Sequence, residues 1–369
     1  MEQFIKKIIA AALMIAAIFL GLSPMTACAD EYSDGMEEIS ENVGDIMSGF
    51  SLDLSLDDAE KLSIDSLLGK VGEQLADRLG EPVHLLAVIF MVIVLCAVIS
   101  SAGSFSGKAS EDIYSMVCVM SAVAVILPRI MAVYSEILSL IHTTGSFILV
   151  FVPFFTGIAV TSGSITTAGI YHIMMLGASE FIVKLAESWF MPVLGAAAAL
   201  GITGSIFPSV SLDSLVNLLK KVITWGISVA MTLFTGFVSL KCTIGSKADG
   251  AAAKTAKMLV GNFVPIIGGA VSDAYSTVKG SFQVIGGAVG ALGITGIILL
   301  LLPMILEVLL YRFVMWVGIA AAEIFSSEPL RKLMKSIDSG LAIAQCILVC
   351  YSVIFVLCSA ILIRAMGGG

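Results

Sequence analysis

Residues 246–281 read SKADGAAAKTAKMLVGNFVPIIGGAVSDAYSTVKGS, and the relation of this stretch to a bilayer decides the fold. It carries four lysines (Lys247, Lys254, Lys257, Lys279), two aspartates (Asp249, Asp273), Asn262 and a series of glycines. The chain around it is apolar: 58% of its 369 residues are hydrophobic and 13% charged, with a mean hydropathy of +1.03. Soluble domains carry roughly 25% charged residues. Several runs of about 20 residues are almost free of charge, long enough to cross a hydrocarbon core about 30 Å thick as helices. The runs are continuous rather than alternating, which selects helices over barrel strands. The chain reads as an all-α, polytopic helical membrane protein.

Working outward, spans are expected near 84–103, 113–133, 144–161, 189–207, 222–240, 282–302, 303–325 and 341–363, about eight in all. Two apolar pieces are interrupted by polar residues. The piece 169–188 carries Glu180, Lys184 and Glu187, and the piece 258–281 carries Asn262, Pro265, Asp273 and Lys279. Charge and irregular backbone at membrane depth are tolerated where they face protein or a wet cavity, so both pieces read as re-entrant or interfacial segments. The basic clusters Lys241, Lys247, Lys254, Lys257 and Arg331, Lys332, Lys335 then both face the cytoplasm by the positive-inside rule. Four residues stand out as intramembrane charges. Glu180 and Lys184 have the i,i+4 spacing and can satisfy one another. Asp273 and Lys279 cannot pair locally on a helix and need separate partners or water, unless both are ordinary membrane-surface residues. Gly286 and Gly290 form a small-xxx-small face suited to close helix packing.

A repeat of about 91 residues is also legible, over roughly 169–240 and 261–331. ALGITG occurs at 199–204 and again at 291–296, and LLKKVITW (218–225) matches LLYRFVMW (309–316) with Trp225 and Trp316 aligned. The chain divides accordingly into a first membrane region of three spans (83–168), repeat unit one with its basic loop (169–257), repeat unit two with its basic loop (258–340), and a terminal span and tail (341–369).

Upstream, Lys6 and Lys7 precede an apolar run from Ile8 to Leu22, and Ala27-Cys28-Ala29 supplies small residues at a cleavage site. This order describes a secretory signal peptide over 1–29, cut after Ala29 with Ala27 and Ala29 as the site residues. An uncleaved signal anchor, or lipidation of Cys28, are the alternatives. Residues 30–82 form an acidic extracytoplasmic segment, with 15 Asp or Glu against Lys61, Lys70 and Arg78. Leucines and a valine from Leu62 to Leu79 recur at helical spacing, which predicts an amphipathic helix, either lying on a surface or docking a partner.

Soluble-enzyme signatures are missing. Gly245 and Gly250 have the glycine spacing of a phosphate-binding loop, but Ala251 stands where its lysine must be. Cys346 and Cys350 share a helix face without nearby His or carboxylate, so they are poor metal ligands. The expectation is a non-enzymatic protein without cofactor, metal or nucleic acid, and any ATPase that powers it is a separate chain.

The stretch KADGAAAKTAKMLVGNFVPIIGGAVSDAYSTVKGS resembles the signature of the stage III sporulation protein AE family of endospore-forming bacteria. The motif positions are Asp249, Lys254, Lys257, Asn262, Pro265, Gly268, Asp273 and Lys279. The resemblance implies a subunit of an apparatus in the mother-cell membrane around the forespore, a secretion-like channel or feeding conduit needed for late forespore development. It also implies partners: a cytoplasmic ATPase, small membrane proteins and ring-forming proteins between the two membranes, besides membrane lipid. A self-contained secondary transporter and a structural scaffold for the other subunits remain as alternatives.

Overall fold

A computed structural model describes residues 33–50, 72, 78–103, 108–206, 213–263 and 268–367. The signal region with Ala27 and Ala29, Pro265, and nearly all of the amphipathic stretch 62–79 lie outside the described residues. Every element among those described is helical. These are α1 (Ser33–Gly49), α2 (Gly80–Gly103), α3 (Lys108–Thr161), α4 (Ile165–Leu185), α5 (Met191–Ile206), α6 (Asp213–Phe263), α7 (Gly268–Ile324) and α8 (Glu328–Gly367), with one π-helical turn (Ala186–Phe190) joining α4 to α5. The π turn has a local cause. Pro192 lacks an N–H, and its ring clashes with the carbonyl four residues back; that carbonyl, of Ser188, falls inside the widened turn.

Among the described residues six helical runs are long and apolar enough to cross a membrane: Gly80–Ile99, Met116–Thr161, Ile165–Ser205, Lys220–Ala256, Ser276–Ile324 and Glu328–Gly367. The expectation of about eight spans is not confirmed, because two pairs of expected spans share one helix each. Spans 113–133 and 144–161 lie on the single helix α3, and 282–302 and 303–325 lie on α7. Between the first pair runs YSEILSLIHT, which has neither glycine nor proline and holds one carboxylate, so nothing stops the helix. Pro303 parts the second pair, but leucines before it and apolar residues after it give no turn chemistry. The helices α3, α6 and α7 are each about 75–85 Å long at 1.5 Å per residue.

The re-entrant reading changes with this. Residues 169–188 belong to the continuous run of α4, the π turn and α5, while 258–263 close α6 and 268–281 open α7. Lys257 and Asn262 are on α6, and Gly268, Asp273 and Lys279 on α7. The shared cytoplasmic face of the two basic clusters is corrected too. At one end of α6, Lys220 is within electrostatic reach of Asp338 and Lys335. Lys247 is 27 residues further along the same helix, about 40 Å away, beside Asp249, which binds the start of α4. Continuous helices carry the chain from end to end each time, so the clusters lie at opposite ends of the bundle.

α7 and α8 form the centre. The most apolar window of α7 is 72% buried and that of α8 61%, against 6% for α6, which lies on the periphery. Glycines let the central helices approach. A Cβ on Gly286 would fall 2.1 Å from the Met366 methyl, on Gly290 2.7 Å from Ile363 and from the Phe155 ring, and on Gly293 2.1 Å from the Phe151 ring. The expected Gly286–Gly290 face is therefore a packing face of α7 against α3 and α8. Phe147 and Phe151 stack at 5.3 Å, and Phe151 lies 6.2 Å from Phe355, completing an aromatic column between α3 and α8. From the acidic segment, α1 buries Val43 and Met47, and Phe50 just beyond it sets its ring edge-on to Phe147 at 5.3 Å. The α3–α4 turn is tight because Gly163 takes φ 83°, a left-handed conformation that glycine adopts without strain.

Candidate functional site

Charged side chains from α2, α3, α6, α7 and α8 converge at one level of the bundle and form a belt. Deep within it lies Arg312 of α7, 2% exposed. The Arg312 guanidinium donates from Nε to Asp338 Oδ1 at 2.9 Å and from Nη1 to Gln345 Oε1 at 2.7 Å. It also lies over the Trp316 ring, 5.3 Å from the centroid. Arg312 and Trp316 are one helical turn apart, and Asp338 and Gln345 are two turns apart on α8, so each pair presents one face to the other helix. A planar guanidinium with several fixed donors suits this divided recognition better than a lysine would.

Five residues before Arg312 on α7, Glu307 is buried too and accepts from Arg78 Nη1 at 2.7 Å. Tyr311 Oη accepts from Arg129 Nε of α3 at 2.7 Å, and Arg129 is 3.4 Å from Glu81 in the first turn of α2. Lys220 of α6 completes the belt, within electrostatic reach of Asp338, Arg312 and Lys335. Removing one member of a buried ion pair strands the other and costs about 3–5 kcal/mol. The belt therefore locks the relative register of the helices it joins.

A second polar site lies about 40 Å along α6, within the family-motif stretch. Asp249 accepts from the backbone N–H of Thr166 (2.8 Å) and Thr167 (2.9 Å) and from the Thr167 hydroxyl (2.8 Å). These N–H groups belong to the first turn of α4, which has no hydrogen-bond acceptor of its own, and a carboxylate there also meets the positive end of the helix dipole. Gly245, one turn before Asp249, allows the approach: a Cβ there would fall 3.1 Å from the Thr167 hydroxyl oxygen and 3.2 Å from its Cα.

The other expected site residues are dispersed. Glu180 and Lys184 form their i,i+4 pair at 2.9 Å, with both side chains more than half exposed. Lys254 is exposed and Lys279 half-buried. Lys279 precedes Glu307 by 28 residues, about 42 Å along α7, so it is remote from the belt. The belt itself escaped the sequence reading, which treats LLYRFVMW as half of a repeat. The usable signal was Glu307 and Arg312 inside the expected span 303–325, since ionisable residues within a span mark functional sites by default. The partners of Arg312 on α8, Asp338 and Gln345, and Arg78, the partner of Glu307, carry no sequence mark of the pairing.

Long apolar helices packed on two central ones, with charges gathered inside the bundle, define a multi-pass helical membrane protein. The chain belongs to the stage III sporulation protein AE family, whose sequence profile matches residues 50–366. It is similar to stage III sporulation protein AE of Bacillus subtilis (strain 168), 26% identical over 225 residues, which cover 61% of this chain and 56% of that protein's own length. No solved structure matches it. It is thus a membrane protein with a role in sporulation.

Proposed function

We propose that the chain is a multi-pass component of a secretion-like channel or feeding apparatus linking mother cell and forespore. It sits in the mother-cell membrane around the forespore, with the acidic segment 30–82 extracytoplasmic. It has no catalytic step or cofactor of its own and works with a separate cytoplasmic ATPase and ring-forming intermembrane proteins. Family membership supports the setting, and the belt is the observation that supports an assembly role. Arg312, Asp338 and Gln345 satisfy one another across α7 and α8, which suits a fixed frame for partner subunits.

The rival reading as a self-contained transporter leans on the repeat, whose two ALGITG phrases lie near a helix end in one copy and within a helix in the other. A tagged full-length chain solubilised from sporulating cells is expected to bring down an ATPase and ring-forming proteins. Uptake of a defined solute by the purified chain alone in proteoliposomes, with no partner captured, would overturn this reading. Asp273→Asn and Lys279→Met test the motif's contact role: sporulation is expected to fail while protein level and membrane insertion stay normal.

A further inference from the structure

Tryptophan and lysine mark the belt as more than an internal lock. The chain has three tryptophans, Trp189, Trp225 and Trp316, and all three lie beside the belt. Trp316 lies against Arg312. Trp225 follows Lys220 by five residues, about 8 Å along α6, and is 69% exposed. Trp189 is 66% exposed in the π turn, five residues before Leu194, which packs beside Gly340 and Tyr134 just past Asp338. Tryptophans concentrate at the headgroup depth of bilayers.

The belt also separates two apolar regions. On one side run α2 and the first half of α3. On the other, residues 222–240 of α6 are free of charge between Lys221 and Lys241. Lipid covering residues 222–240 of α6 would bring its headgroups to the level of Lys220 and Lys221.

Charge at this level is unbalanced at the surface. Asp338 is taken by Arg312. Glu328 and Glu323 both pair with Arg331, although Glu328 also feels Lys332 and Lys335. Four further lysines remain: Lys221 and Lys335 exposed, Lys220 and Lys332 half-buried. They come from two helices, and Lys220 and Lys335 are electrostatic neighbours. Among the described side chains of α6, α7 and α8 here, Lys220, Lys221, Arg312, Arg331, Lys332 and Lys335 face Glu307, Glu323, Glu328 and Asp338, and Glu307 is already taken by Arg78. Long lysine stems reach headgroup depth while their ammonium groups stay polar.

We propose that Lys220, Lys221, Lys332 and Lys335 form a docking surface for the headgroups of anionic phospholipid, with Trp225 holding the acyl–headgroup boundary beside it. The ammonium groups face the phosphodiesters, and the neutral belt core beneath keeps the site in register.

The test uses the full-length protein in a neutral detergent, titrated with phosphatidylglycerol or phosphatidylcholine in mixed micelles and followed by melting temperature. Phosphatidylglycerol is expected to raise the melting temperature and phosphatidylcholine to leave it unchanged. Apparent affinity is expected to fall about fivefold for each lysine replaced by glutamine. The Lys→Arg version of all four positions retains the response, and Lys241→Gln with Lys247→Gln and Lys254→Gln, at the far end of α6, leaves it intact. An unchanged melting temperature of the four-glutamine variant in phosphatidylcholine shows that it folds. Equal response to both lipids, or an undiminished response in that variant, would overturn the proposal. So would a rise of the same size with inorganic phosphate alone, which would place a free anion there. Lysine-dependent binding of an acidic polypeptide without any phosphatidylglycerol response would overturn it in favour of a protein partner.

Discussion

The phrase ALGITG occurs twice, and the two copies end in different structures. In the first, residues 199–204 close α5, and α6 begins as a separate helix at Asp213. In the second, residues 291–296 run uninterrupted through α7. The sequence downstream explains the split. SIFPSVSLD follows the first copy, with three serines, Pro208 and, at its end, Asp213, a helix-starting residue type. IILLLLPM follows the second and offers no turn. The shared element is the glycine. Gly201 packs on Ser336 beside the belt, where a Cβ would fall 2.3 Å from the serine Cβ. Gly293 packs on Phe151, 19 residues before Arg312, about 28 Å deeper along α7. Recurrence in the sequence therefore records the same local device, a close helix contact, used at two depths.

The sharpest break would come from topology. Lys247→Cys and Lys335→Cys, each in a background without native cysteines, are expected to differ completely toward an impermeant thiol reagent in intact cells. If both are protected or both labelled, the clusters share a face and the 169–188 and 258–281 segments are re-entrant after all.

Next in size is the belt. Arg312→Ala or Asp338→Ala is expected to destabilise the detergent-solubilised protein by about 3–5 kcal/mol, measured by thermal unfolding. The double variant Arg312→Met with Asp338→Leu should lose less than either single change, because no charge is stranded. Additive losses would mean that the two groups do not act as a pair.

The glycines sharpen the comparison directly. Gly293→Ala and Gly201→Ala should each cost roughly 1–3 kcal/mol by overpacking. Gly201 is expected to be worse, since its obstacle is a Cβ tied to the α8 backbone while a phenyl ring can tilt. Gly287, with nothing within 4 Å of its added Cβ, is the control. Gly287→Ala should gain up to about 1 kcal/mol from helix propensity. Melting temperatures of the three variants give the order.

Asp249→Ala removes the acceptor at the start of α4 and is expected to cost about 0.5–2 kcal/mol, with faster amide exchange at Thr166 and Thr167. Asp249→Asn should retain part of the effect through its carbonyl oxygen. Glu180→Gln is expected to be smallest, roughly 0.5 kcal/mol or less, because this exposed i,i+4 pair adds little to a helix.

Class and composition were legible from residues alone. Charge-free runs of bilayer length can satisfy their backbone in lipid only as helices, so an all-helical membrane protein follows without any tertiary contact. The Glu180–Lys184 pair and the Gly286–Gly290 face were equally local, since both depend on positions three or four residues apart on one helix. Where helices end was less legible. The polar stretch from Tyr134 to Thr143 and the proline at 303 part expected spans, yet neither stops a helix already packed on its neighbours. The place of the belt was marked by Glu307 and Arg312 inside an expected span, but its pairing was beyond the sequence. Arg312 meets Asp338 and Gln345 across a helix boundary, and Arg129 meets Tyr311 from 182 residues away. Pairing at such separations depends on which faces of α3, α7 and α8 pack together, and that is decided by glycines and rings from several helices acting jointly, a property of the assembled bundle that no single stretch contains.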